Sequence, residues 1–122
     1  MTRVYIAGCY SRSPKTGKEA NILEILQNIK IGKDMASYLF SRGYAVYCPF
    51  QDYDFILHGY LGEFDIEMFR KNSMAWLEVS NAVYMLPGWQ KSGGAIKEKN
   101  RALSLQIPVF YEFPILINKL KI

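Results

Sequence analysis

AVYMLPGWQKSGGAIKEKNRALSLQIPVFY, residues 82–111, holds one complete strand–helix–strand unit. Ala82-Val-Tyr-Met-Leu86 is a short apolar run rich in strand formers, the pattern of a buried strand. Pro87 to Gly93 carries the turn formers Pro87, Gly88, Ser92 and Gly93 and reads as a loop. Gly94 to Leu105 reads as a helix, and Pro108 to Tyr111 returns to strand. A strand, a helix and a second strand within about thirty residues form a parallel pair joined by a crossover.

The same alternation extends back to the N-terminus. Arg3 to Ala7 (RVYIA) is a first buried strand ending at Gly8, and Cys9 to Gly17 (CYSRSPKTG) is a loop of small and basic residues. From about Glu19 to Arg42 the apolar residues Ile22, Ile25, Leu26, Ile29, Met35 and Leu39 recur at helical steps, and Gly43 supplies a stop. Tyr44 to Cys48 is a second strand closed by Pro49. Residues 50–62 are irregular and aromatic, and a further helix is expected from about Glu63 to Val79. The tail from Phe113 to Lys121 is compatible with a short terminal helix. Four strands alternating with helices imply one α/β domain over residues 1–122, a three-layer sandwich around a parallel sheet of four or five strands. In such sheets ligands sit beyond the carboxyl ends of the strands. That rule singles out the loops Gly8–Gly17 and Pro87–Gly93.

Composition narrows the function. The chain has 122 residues, half of them apolar and 15% aromatic, enough for a core without disulfides or metal. Its two cysteines, Cys9 and Cys48, form no Cys-x-x-Cys pair, and His58 is the one histidine. No metal site is expected, and the thiols are expected to be free. No apolar run reaches membrane-spanning length and no signal-peptide pattern precedes the first strand, so a cytoplasmic protein with no membrane partner is expected. The net charge of +4 carries no long basic run and suits a small anionic ligand as well as nucleic acid.

The segment richest in chemistry is Pro87 to Glu98. Ser92, Gly93 and Gly94 fall where a helix begins, and free N–H groups at a helix start hold anions. Ser92 can act as an N-cap, a ligand donor or both. Glu98 follows Gly94 by four residues and can face the same crevice. The plainer alternatives are a turn with a cap for Ser92–Gly94, a solvated first-turn residue for Glu98, a core tyrosine for Tyr5 and a solvated loop cation for Arg12. Trp76, Trp89 and Tyr10 suit base stacking or packing equally. The P-loop and dinucleotide fingerprints are absent.

Taken together, Val4-Tyr-Ile-Ala-Gly8, Arg42-Gly43, Trp76-Leu77, Leu86-Pro-Gly-Trp89, Ser92-x-Gly94-x-x-x-Glu98 and Ile107-Pro-Val109 resemble the nucleoside 2-deoxyribosyltransferase-like superfamily, which includes nucleoside 5′-monophosphate N-glycosidases. The resemblance implies a flavodoxin-like sandwich. It implies that Glu98 attacks C1′ of the sugar, that Tyr5 orients Glu98, and that Ser92 and Gly94 bind a 5′-phosphate. Gly8, Tyr10, Arg12 and Trp89 would line the substrate site. The expected ligand is a nucleoside or nucleotide and not a nucleic acid polymer. No cofactor is implied, and a homodimer or larger homo-oligomer is expected, with Phe50–Phe64 and the second long helix as candidate interfaces. Two positions depart from the pattern: Ser73 and Asn81 stand where the family carries aspartates. The leaving base would then need another acid, with Asp52, Asp54, Asp65 and Glu67 as candidates. The alternative is a non-catalytic protein that senses or sequesters a nucleotide.

Overall fold

The computed structural model describes residues 1–59 and 62–112; the helix expected at Phe113–Lys121 lies outside the described residues. In chain order the elements are β1 (Arg3–Ala7), α1 (Ile22–Ser41), β2 (Ala45–Tyr47), α2 (Tyr53–Leu57), α3 (Ile66–Glu78), β3 (Ala82–Met85), α4 (Gly93–Ser104) and β4 (Val109–Phe110). The four strands form one sheet in the order β2-β1-β3-β4, every pair parallel. The chain steps from β1 to one side, then crosses back to its other side. The switch point of this flavodoxin-like sheet therefore lies between β1 and β3, where a crevice is expected.

Strand alternation divides the core in two. Val4, Ile6, Ala82 and Tyr84 face α1 and pack on Ile29, Ala36 and Leu39. Tyr5, Ala7, Val83 and Met85 face the opposite way, toward Leu77 of α3 and Ala95 and Ala102 of α4. The result is a three-layer sandwich, with helices on both faces of four strands.

Local chemistry sets the ends of the helices. α1 starts at Ile22 rather than near Glu19 because Asn21 and Glu24 form a capping box: Asn21 Oδ1 accepts from the Glu24 N–H at 2.9 Å and Glu24 Oε1 from the Asn21 N–H at 3.3 Å. Asp65 caps α3 by accepting from the Met68 N–H at 3.0 Å.

The stretch after β2, expected to be irregular, is more ordered than its aromatic composition suggests. Pro49 opens a 3₁₀ turn through Asp52 that runs into α2, and Gln51 Oε1 accepts from the Cys48 N–H at 3.0 Å. Phe50 is wedged against α1 at Gly32, where an added Cβ would lie 2.4 Å from the ring. Cys9 and Cys48 are buried free thiols. Among the described residues no helix is long and apolar enough to cross a membrane.

Candidate functional site

A cavity of about 710 Å³ opens beyond the carboxyl ends of β1 and β2, a volume suited to a small-molecule ligand. Gly8 and Tyr10 line it after β1, Phe50 and Asp52 after β2, and Ser92, Gly94 and Glu98 from α4. Ile56, Phe64 and Phe69 supply an apolar wall, and Lys97 and Arg70 add cationic groups.

Glu98 reaches this cavity from the sheet-facing side of α4. Ala95, Glu98 and Ala102 are spaced by three and four residues and so share one stripe of the helix. Both alanines are buried against the strands. Their small side chains let α4 approach the sheet and leave room for a carboxyl group between them. Beneath it lies Tyr5, fully buried on β1, whose hydroxyl donates a hydrogen bond to Glu98 Oε2. Burial pushes the Glu98 carboxyl up from its ordinary value near 4.5 to about 8, because loss of water penalises the charged form.

A second tyrosine–carboxylate pair stands beside the first. Tyr47 on β2 is in register with Tyr5, and the two rings lie 5.6 Å apart. The Tyr47 hydroxyl donates to Asp52, 2.8 Å from Oδ1 and 2.7 Å from Oδ2. Asn72 Nδ2 donates to the Tyr47 hydroxyl at 3.0 Å and to Asp52 Oδ2 at 3.2 Å. Burial and the bond to Asp52 both push the Tyr47 hydroxyl up, so it holds its proton. Ser73 lines the cavity close to Tyr47, and Trp76 stacks on the Tyr47 ring at 5.7 Å. Sequence reasoning named Asp52 only as one of four candidate acids and missed Tyr47 and Asn72.

Ser92 is the N-cap of α4, and its Oγ accepts from the Ala95 N–H at 3.1 Å. The N–H groups of Gly93 and Gly94 have no acceptor within the helix. The loops after β1 and β3 hold each other in place. The Cys9 thiol donates to the Gly88 carbonyl at 3.2 Å. Gly88 has φ +85° and lies so close to Pro14 that an added Cβ would sit 2.6 Å from the Pro14 carbonyl oxygen. At Gly8 an added Cβ would meet the Leu86 side chain at 2.8 Å.

Of the anticipated site residues, Glu98, Gly8, Tyr10, Ser92 and Gly94 line the cavity, and Tyr5 touches it through Glu98. Arg12 and Trp89 are not among its lining residues. Arg12 is exposed, its backbone forms an isolated antiparallel β-bridge with Glu19, and its carbonyl accepts from Asn28 Nδ2 at 3.0 Å. Trp89 packs on Tyr111 with ring centroids 5.5 Å apart, under the Lys99 ammonium.

The other candidate acids have different surroundings. Asp65 lines the cavity but caps α3, Glu67 pairs with Arg70 at 2.9 Å, and Asp54 is exposed. Asn81 ties the start of β3 to the start of β1 by accepting from the Arg3 N–H at 2.8 Å. That places it at the end of the sheet away from the cavity. Among the described residues no group of three histidine, cysteine or acidic side chains is placed to hold a metal ion.

No curated protein matches the sequence. Residues 2–111 match the family described as Domain of unknown function (DUF4406). That span takes in all four strands and every residue placed around the cavity. The chain thus belongs to DUF4406, as a small α/β domain with a flavodoxin-like sheet of four parallel strands.

Proposed function

We propose that the protein cleaves the N-glycosidic bond of a nucleoside or nucleoside 5′-monophosphate, with Glu98 as the nucleophile. The observation that carries this reading is the placement of Glu98. A carboxyl group on the sheet-facing stripe of α4 costs stability, yet it lines the cavity and is aimed by the hydroxyl of Tyr5. A phosphate held by Ser92 and the first N–H groups of α4 would anchor the sugar one helical turn away. The Glu98 carboxylate would then meet C1′, where displacement passes through an oxocarbenium-like state that negative charge stabilises. The resulting glycosyl ester is released to water or to an acceptor base. Tyr10 and the apolar wall suit the flat face of a nucleobase.

The test is base release from a panel of ribo- and deoxyribonucleosides and their 5′-monophosphates, wild type beside Glu98→Ala. Release by the wild type alone supports the reading and names the substrate. Absence of release from every panel member at high enzyme concentration overturns it.

Ser73 favours a second reading. It lines the cavity close to Tyr47 where the resemblance calls for an aspartate, which fits a protein that binds a nucleotide without cleaving it. Tight binding of a panel member with no release supports that alternative. The apolar side chains exposed on α2 and α3, among them Phe55, Ile56, Ile66 and Met68, support association into a homodimer, which the solution mass from light scattering tests.

A further inference from the structure

We propose that Asp52 is a second catalytic carboxylate of the cavity, the group that exchanges a proton with the leaving base and then with the attacking water. The assignment rests on the glycosidase reading of Glu98 and deepens it. Asp52 is only 6% exposed, yet it borders the same cavity as Glu98. A buried carboxylate is costly unless its oxygens are satisfied or a cation lies beside it. No ion pair to Asp52 occurs among the described residues. It is held instead by neutral donors from two other elements, Tyr47 of β2 and Asn72 of α3.

With Asp52 ionised, the direction of these bonds is fixed. Asn72 Nδ2 can only donate, so the Tyr47 oxygen accepts from it and the Tyr47 proton points to Asp52. Asp52 Oδ1 accepts from Tyr47, and a carboxylate oxygen has room for two hydrogen bonds. The remaining capacity is what a ligand can use. Tyr47 and Asn72 are positioning residues that hold the carboxylate in one orientation and support its charge once the proton has left.

The chemistry balances over two steps. In the first, a Glu98 oxygen bonds to C1′ as the C1′–N bond breaks. Its electron pair passes to the base nitrogen, which takes the proton from the Asp52 carboxylic acid. In the second, water attacks C1′ from the face the base has left. Asp52 takes the water proton, and the Glu98 carboxylate departs. One water is consumed, and both carboxyl groups return to their starting states, the division of labour of retaining glycoside cleavage.

The experiment compares wild type, Asp52→Asn and Glu98→Gln on 2′-deoxyguanosine 5′-monophosphate and on its 7-methyl derivative. The methylated base leaves as a neutral molecule and needs no proton. Asp52→Asn is expected to slow release of guanine by ~100-fold or more and release of 7-methylguanine by less than about tenfold. Glu98→Gln is expected to slow both. Tyr47→Phe keeps the carboxyl group and is expected to give a smaller loss confined to the unmethylated substrate, which provides the same comparison should Asp52→Asn fail to fold.

Equal losses on the two substrates, or no loss on the unmethylated one, overturn the role of Asp52 while leaving Glu98 as nucleophile. Failure of the wild type to release either base overturns the glycosidase reading for purine nucleotides, and the assignment falls with it.

Discussion

Tyr5 and Tyr47 occupy paired positions on adjacent parallel strands, and each donates its hydroxyl to a different carboxylate of one cavity. Register explains why they stand side by side. Neighbours in a parallel sheet at the same level project to the same side, and here that side carries α3 and α4. Tyr84 belongs to a third Val-Tyr pair, on β3, yet Val83 is the residue level with Tyr5. Tyr84 therefore points to the opposite face and into the α1 core.

Replacing Tyr5 by Phe keeps the buried ring and removes one donor to Glu98. A hydrogen bond to a charged group contributes roughly 1.5–3 kcal/mol. Base release is therefore expected to fall by about 10- to 100-fold, mostly in kcat. Steady-state kinetics on the best panel substrate check this, and an unchanged kcat would remove Tyr5 from the mechanism.

As the proposed nucleophile Glu98 can attack only as a carboxylate, and burial pushes its carboxyl group up to about 8. At pH 7 about a tenth of the free protein is then in the reactive form. On the 7-methyl substrate, whose base leaves without a proton from Asp52, the expected kcat/KM rises with pH, close to tenfold per unit below about 7, and levels off above about 8. A profile that is flat from pH 6 to 9 would contradict this.

The same group makes stability depend on pH. Its folded value lies above the ordinary value near 4.5, so the folded state binds the extra proton. The stabilisation this gives is complete below about 4.5 and is lost as pH rises through about 8. Glu98→Gln removes the dependence. The variant is expected to melt higher than wild type at pH 8.5, with the difference shrinking toward pH 4.5. Thermal unfolding at several pH values measures it.

The alternation of strands and helices was legible because a parallel sheet buried on both faces leaves short, continuous apolar runs. RVYIA, AVYM and the helical stripes of α1 and α4 carried most of the architecture. The Glu98 end of the cavity was legible through Ser92 and Gly94, which mark a helix start. A further cue lay unused in Ala95 and Ala102, which place Glu98 on the buried stripe and argue against a solvated residue. The Asp52 end was legible only as one of four candidate acids. It depends on a 3₁₀ turn after Pro49 and on register between two strands far apart in sequence, and neither leaves a periodic pattern. Arg12 and Trp89 looked suitable by residue type, but their surroundings are set by loop packing that spacing does not encode.

Gly32 tests how the β2 end of the cavity is supported. It sits in the middle of α1, where alanine would ordinarily stabilise the helix by ~1 kcal/mol. Here an added Cβ would lie 2.4 Å from the Phe50 ring and 3.0 Å from Cys48 Sγ. Overpacking of this kind costs about 1–3 kcal/mol. Gly32→Ala is expected to destabilise the protein in denaturant titrations. Because Phe50 lines the cavity, ligand affinity is expected to drop as well. A stabilised variant would show that Phe50 has room to move.

Ser92 combines a structural role with a proposed binding role in one side chain. Its Oγ accepts from the Ala95 N–H, which caps α4, while the hydroxyl proton remains available to a ligand in the cavity. Ser92→Ala loses both functions. The cap contributes ~1 kcal/mol to stability, and that loss appears in the unfolding curve whatever substrate is used. The ligand contact matters only where a phosphate is present. A net hydrogen bond of about 1 kcal/mol corresponds to roughly fivefold in affinity, rising toward tenfold or more with a charged acceptor. The KM for a nucleoside 5′-monophosphate is therefore expected to rise by about 5- to 30-fold, with that for the matching nucleoside nearly unchanged. Equal changes for the two substrates would leave Ser92 as a helix cap alone and move the phosphate to another part of the cavity, where Lys97 and the Glu67-paired Arg70 are the lining cations.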